Sequence, residues 1–276
     1  LRYYLRLKSA NKEIKEGISK PIEISFISIK TNQIPFNKKT IRLAIAKSLN
    51  RELISRKVSY KLRKPLRSLV PDILKKDNSA LWPEYNPIEA IRLLEREGYC
   101  NGRILNLPLT YRSNIQTDKL IALYWQRDVK NKMSKCFKID INGVESTTIY
   151  KNLKEGLYPS VILDWTGSYS DLSAYLYPLL SCNNLEGLTC IEGESVFSGS
   201  FWGSKKVENL FFESENLTGE KRLNKLIEIE KIASESIPYI PIWISSQKAW
   251  SQTNISKPKF NGAGRLLMSD LEKINE

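Results

Sequence analysis

An α/β fold is predicted by three observations on the sequence. Apolar runs of strand length alternate with amphipathic helical stretches through most of its 276 residues, as expected where strands are joined through helices. Asn86, Pro87 and Gly98 punctuate one of those helices from start to stop. The stretch SVILDWTGSYSDLSAYLYPLL, residues 160–180, reads as strand, polar turn and helix, a geometry that brings backbone donors and a few side chains to the edge of a cleft. An ordinary strand-to-helix crossover, doing no chemistry, is the plainer reading of that stretch alone.

Each element follows from its own pattern. Pro21 to Lys30 alternates around Ile22, Ile24 and Phe26, with Ile27 and Ile29 beside them, and predicts a strand. Asn37 is placed to cap an amphipathic helix carrying Ile41, Ala44, Ile45, Leu49 and Leu53 on one face, with Lys38, Lys39, Lys47 and Arg51 in water. Residues 57–81 are basic and interrupted by Pro65 and Pro71, which predicts a long connection without a core pattern. In NPIEAIRLLEREGY, Asn86 caps and Pro87 takes the first helical position, where its missing N–H costs nothing. Glu89 is placed to reach back to the cap, and Gly98 ends the helix.

A strand is predicted at Leu105 to Thr110, then a polar turn holding Arg112, Ser113 and Asn114, and a helix from about residue 117 to 132 that buries Leu120, Ile121, Tyr124, Trp125 and Val129. Phe137, Ile139 and Ile141 alternate with polar residues as a half-buried strand, and Ser146 and Gly156 bracket a short helix with Ile149, Tyr150 and Leu153. Val161, Ile162 and Leu163 form a buried strand, broken by Thr166, Gly167 and Ser168. Asp171 can then cap a helix over Leu172 to Leu180. Residues 181–203, rich in Gly, Ser and Asn, predict a long loop. Helices follow at about 204–215 and 220–236, the second with Leu223, Leu226, Ile227 and Ala233 inward. Pro238 and Pro241 exclude helix while Ile240, Ile242 and Ile244 alternate, so a last strand precedes a polar tail containing NGAGRL.

Composition narrows the function classes. The chain is long enough for about two domains, and no run approaches the ~18 apolar residues of a membrane span. Its first residues lack the apolar region of a signal peptide, so if the protein is exported its signal is expected upstream. Lys and Arg number 43 against 30 Asp and Glu, a formal charge of +13, which would suit nucleic acid. The cations are scattered and few stand beside exposed-looking aromatics. A solvated basic surface accounts for them, and a basic nucleic-acid-binding protein is the alternative function. The chain has no histidine, which excludes Ser-His-Asp and Cys-His nucleophile systems and every His-ligated metal site. Paired carboxylates could do acid/base work without histidine, but no pair is fixed by spacing. No enzymatic activity, metal or cofactor is expected. Cys100, Cys136, Cys182 and Cys190 show no C-x-x-C spacing. Cys182 and Cys190 flank NNLEGLT and would close it as a disulfide in an oxidising compartment; two unrelated thiols are the alternative.

Four segments, in this order, resemble the extracellular solute-binding protein family 5 of ABC importers, the oligopeptide- and dipeptide-binding type. They are Asn32 with PFNKKTIRLAIAKSLNRELI, NPIEAIRLLEREGY, the turn DWTGSYSDL, and IPYIPIW. The resemblance spans most of residues 22–267. It implies the second lobe of a two-lobed periplasmic-binding-protein-like clamp plus the crossing segments, with the N-terminal lobe missing from this sequence. Residues 1–31 would be the crossing segment from that first lobe, 32–240 the second α/β lobe, and 241–276 the return segment. It further implies a monomeric, periplasmic or cell-surface protein that holds a peptide or other small polar solute between its lobes and delivers it to a membrane permease, without nucleic acid as partner.

Residue by residue, the resemblance places ligand at Trp165, Gly167, Ser168 and Tyr169, with Trp165 as an aromatic wall or, alternatively, packed beneath the turn. In peptide-binding members an acidic residue in this turn holds the ligand's ammonium; here Ser168 stands in its place, which weakens the peptide reading. Asp171 keeps the later acidic position, for helix capping or for ligand. Arg112, after LPLTY, is close to the place of an arginine that grips the ligand's carboxylate in some members. Asn209, where an acidic residue is usual, and KNKM at 130–133, where Gly is expected, also depart from the family, away from the proposed site.

Overall fold

The computed structural model describes Arg6 and residues 14–75 and 80–274. The remaining residues of the 1–31 crossing segment and of the 57–81 connection lie outside the described residues. Strands β1 (Lys15–Ile29), β2 (Lys64–Pro65), β3 (Leu105–Arg112), β4 (Phe137–Val144), β5 (Ser160–Thr166) and β8 (Tyr239–Ser251) form one sheet in the order β2-β8-β1-β5-β3-β4. β1 runs antiparallel to both β8 and β5, whereas β3 is parallel to β4 and β5. Both faces of β1 are covered: Phe26, Ile27, Ser28 and Ile29 are consecutive and all buried. The run ISFISI is therefore a central strand rather than a half-solvated one.

Helices supply the covering layers. α1 (Lys39–Lys47) packs on α3 (Pro87–Arg96), and α4 (Gln116–Met133) packs on β3 and β4 and against α2 (Arg51–Val58). α5 (Ser146–Asn152) enters β5 through the left-handed Gly156, and α6 (Ser173–Leu180) leaves it. α8 (Lys205–Glu215) and α9 (Gly219–Ser236) pack together, α9 also on α6. In α3 the cap and the first proline are as predicted, Asn86 Oδ1 accepting the Glu89 N–H at 2.9 Å and Pro87 opening the helix, but Glu89 does not reach back, because the Asn86 N–H donates to the Lys47 carbonyl at 2.8 Å.

Several expectations are corrected. The helix predicted over 41–53 is two helices, because Asn50 caps a new one by accepting the Leu53 N–H at 2.9 Å. Asn37 caps nothing; Lys38 holds that position without a side-chain bond. Arg51, expected in water, is buried and donates to the carbonyls of Pro241 (2.6 Å) and Pro83 (3.1 Å). The connection after Lys57 does have a core pattern, since Leu66, Leu69 and Val70 are buried. It is pinned to α9 by Glu230, whose carboxylate accepts Ser68 Oγ–H at 2.6 Å and Leu69 N–H at 2.9 Å and pairs with Lys75. The predicted loop 181–203 holds a small hairpin, β6 (Asn184–Glu186) and β7 (Thr189–Glu192), then the short α7 (Glu194–Phe197). Cys182 and Cys190 are disulfide-bonded across that hairpin, and Cys100 is bonded to Cys136, a pairing that sequence spacing did not suggest.

Candidate functional site

Parallel strands β3 and β5 end on the same edge of the sheet, and the predicted site residues stand at those two ends. At the end of β5 the Trp165 indole is about one-third exposed and fixed by its Nε1–H, which donates to the Ala174 carbonyl at 2.8 Å. Trp165 is thus anchored to the helix below while part of its side chain stays open to solvent. Gly167 is required under it, because a Cβ there would lie 2.7 Å from the Tyr175 ring. Tyr175 is held in turn by its hydroxyl, which donates to the Ile22 carbonyl at 2.8 Å.

Two cavities open on either side of this turn. One, about 530 Å3, is lined by Trp165, Gly167 and Ser168 on one side and by Lys248, Phe260 and Arg265 on the other. The second, about 450 Å3, is bounded by Trp165, Ser168, Tyr169, Tyr177, Phe211 and Arg222. Ser170 Oγ–H donates to the Gly262 carbonyl at 3.0 Å, tying the turn to the C-terminal tail.

Asp171 is half-buried and engaged by its neighbours. Its Oδ1 accepts the Ser173 N–H (2.8 Å) and hydroxyl (2.6 Å), and its Oδ2 meets Arg222 at 2.6 Å. Burial alone would raise this carboxyl, but the bonds from Arg222 and Ser173 outweigh it and hold its pKa below the usual range. Asp171 thus fixes the start of α6 from two residues upstream of Ser173.

Arg112, at the end of β3, is buried and its guanidinium is filled from within. Asp118 takes Nε at 2.6 Å and Nη2 at 3.2 Å, and Asp164 takes Nη1 at 2.8 Å and Nη2 at 2.7 Å. The Tyr150 hydroxyl accepts from Nη1 at 3.3 Å. Burial opposes the charge of Arg112, but the hydrogen bonds of Asp164 and Asp118 overcome it and raise its pKa. Burial also raises the carboxyl of Asp118, even beside the guanidinium. The sequence singled out Arg112 but neither Asp partner; Asp164 stands next to Trp165, and its place at the end of a strand was the available signal.

The structure therefore gathers Trp165, Gly167, Ser168 and Tyr169 at one cleft wall, sets Asp171 below it, and holds Arg112 in a separate ionic cluster. Among the described residues no group of three or more His, Cys, Asp or Glu side chains is disposed to hold a metal ion, and no helix is long and apolar enough to cross a membrane.

Comparison with known proteins gives a consistent picture. Residues 4–187 match the family model described as bacterial extracellular solute-binding proteins, family 5 Middle. The chain is 22% identical over 254 residues to the glutathione-binding protein GsiB of Escherichia coli strain K12, covering 91% of this chain and 48% of that protein. A structure of the periplasmic binding protein DppA from Helicobacter pylori in complex with the peptide STSA superposes with a TM-score of 0.82 at 19% identity, over 100% of this chain and 51% of that one. A dipeptide-binding protein from Pseudoalteromonas sp. SM9913 in complex with Met-Leu gives 0.81 at 20% identity, over 98% and 52%. The chain thus spans about half the length of the relatives it matches.

Proposed function

We propose, from the premise that this chain belongs to the bacterial extracellular solute-binding proteins of family 5, that it supplies the second lobe of the substrate-binding component of an ABC importer. A peptide or other small polar solute is held against the wall of Trp165, Gly167, Ser168 and Tyr169 and passed to a membrane permease. No chemical step is involved. The observation that carries this reading is the Trp165 turn: an anchored, half-open aromatic ring between two cavities at the carboxyl end of a parallel strand. A relative named for binding glutathione, and similar structures in complex with Met-Leu and with the peptide STSA, support small peptides as the ligand class. Arg112 and Asp171, saturated by internal partners, shape the wall and do not grip ligand.

The long strands β1 and β8 support the proposed division of the chain. Their inner halves lie at the centre of the sheet, but β1 pairs with β5 only from Glu23 onward, so Lys15 to Pro21 and Ser246 to Ser251 run on as a two-stranded ribbon. We assign this ribbon to the crossings from and to a first lobe, with residues 32–240 as the second lobe. The two disulfides suit the oxidising, periplasmic or cell-surface compartment of such a component.

Native and denaturing mass spectrometry on the full-length chain tests the function. A small solute released on denaturation is the expected result, and its mass begins to identify the ligand. Release of nucleic acid, with affinity falling steeply in salt, would overturn the reading and restore the basic charge as the message. The 276 residues alone are expected to bind weakly, since closure over a ligand needs both walls; a tight complex of this fragment with a small peptide would contradict the clamp.

A further inference from the structure

We propose that the cavity between the Trp165 turn and the C-terminal tail receives an anionic group of the ligand, and that Arg265 is the residue that selects it. This rests on the solute-binding reading above and names which end of the solute the cavity takes.

The chemistry of the lining is one-sided. Opposite Trp165, Gly167 and Ser168 stand two cations, Lys248 and Arg265, and among the described lining residues there is no carboxylate. Lys248 is answered by Glu16 at 3.0 Å. Arg265 is exposed, and among the described residues no acidic side chain meets its guanidinium. An ammonium group entering this cavity would face like charge with only the Ser168 hydroxyl to offset it. A carboxylate would find a planar, unengaged guanidinium suited to two parallel hydrogen bonds.

The backbone that carries Arg265 is also held in place. Asn261 closes the turn around it: its side-chain Oδ1 accepts the Arg265 N–H at 2.9 Å, and its own N–H donates to the Arg265 carbonyl at 2.9 Å. Gly264 adopts φ +70°, and a Cβ at that position would lie 2.1 Å from Ile22 Cδ1, so the turn sits directly on β1. The Ser170 to Gly262 bond joins this turn to the opposite wall. Arg112, the arginine that sequence reasoning offered as anion clamp, has its donors taken by Asp118 and Asp164. Arg222, at the second cavity, is likewise paired with Asp171, so Arg265 is the arginine beside this turn that no acidic side chain among the described residues answers.

The test uses the full-length chain and three probes in calorimetric titration: Met-Leu, N-acetyl-Met-Leu, which keeps the carboxylate and loses the ammonium, and Met-Leu amide, which does the reverse. The expected result is that N-acetyl-Met-Leu binds within about threefold of Met-Leu while the amide binds about tenfold or more weakly, the scale of one charge-assisted hydrogen bond. Arg265→Gln should then bring the acetylated peptide down to the level of the amide, with an unchanged melting temperature because the side chain is exposed. An amide that binds as well as Met-Leu, or an Arg265→Gln protein that still separates the two probes, overturns the inference and leaves the solute-binding reading standing. If none of the three probes binds, the peptide reading falls and this inference falls with it.

Discussion

The ends of β3 and β5, side by side on one sheet edge, treat their polar groups in opposite ways. At β3 a buried guanidinium has its donors filled by two aspartates and a tyrosine. At β5 the indole N–H is satisfied, but Trp165, Ser168 and Tyr169 line cavities. The first arrangement holds the edge in shape; the second leaves capacity for something else. A charged residue in a binding protein is thus informative about ligand only once its internal partners are known.

The comparison can be broken by emptying the filled end. Arg112→Leu leaves Asp118 buried without its counter-charge, and the expected cost in denaturant unfolding is about 3–5 kcal/mol. A loss below about 1 kcal/mol would mean that the β3 cluster is no more structural than the open end.

Glu208 sharpens the contrast, because it is a part-buried carboxylate whose partner is a backbone N–H, that of Cys182 at 2.9 Å, rather than a cation. Burial pushes its pKa up to about 7 against that hydrogen bond. The folded state then holds the proton more tightly than the unfolded chain, so Glu208 favours folding below its ordinary range near 4.5 and this contribution disappears as pH rises to about 7. Stability should fall by on the order of 2 kcal/mol across that window and level off above it. Glu208→Gln should remove that component of the slope in urea titrations at several pH values.

At the open end, Gly167→Ala is expected to cost about 1–3 kcal/mol by forcing the Tyr175 ring aside, and to weaken ligand binding as Trp165 moves with it. Normal affinity in that variant would show that the turn is not the wall. The smallest effect belongs to Asp171→Ala, which should lose about 1 kcal/mol through the start of α6 and leave ligand affinity nearly unchanged in titration calorimetry. A larger loss in affinity than in stability would return Asp171 to the ligand.

Much of the fold was legible because local pattern and tertiary environment agree. The α3 segment carries its own cap, first-position proline and terminal glycine, and folds accordingly. The failures have a common cause in long-range partners. Arg51 and Glu230 look like surface residues until the carbonyl of Pro241 meets the one and the Ser68 hydroxyl and Leu69 N–H meet the other. The Cys100–Cys136 pairing depends on the end of α4 returning beside the start of β3, which spacing cannot show. At the site, Trp165 and Gly167 were legible from the strand-turn-helix pattern, whereas the saturation of Arg112 required Asp164 from another strand.

The central pairing of the sheet has a consequence in time. Ile24 on β1 meets Ile244 on β8, 220 residues later in the chain, while its other neighbour, β5, ends at Thr166. At translation speeds of about 5–20 residues per second, β1 waits roughly 10–40 s between its own synthesis and that of its last partner. Throughout that interval the segment IEISFISI, apolar and strand-forming, has an open edge able to pair with another nascent chain. Keeping that edge covered until β8 arrives is a demand this topology places on the cell that makes it.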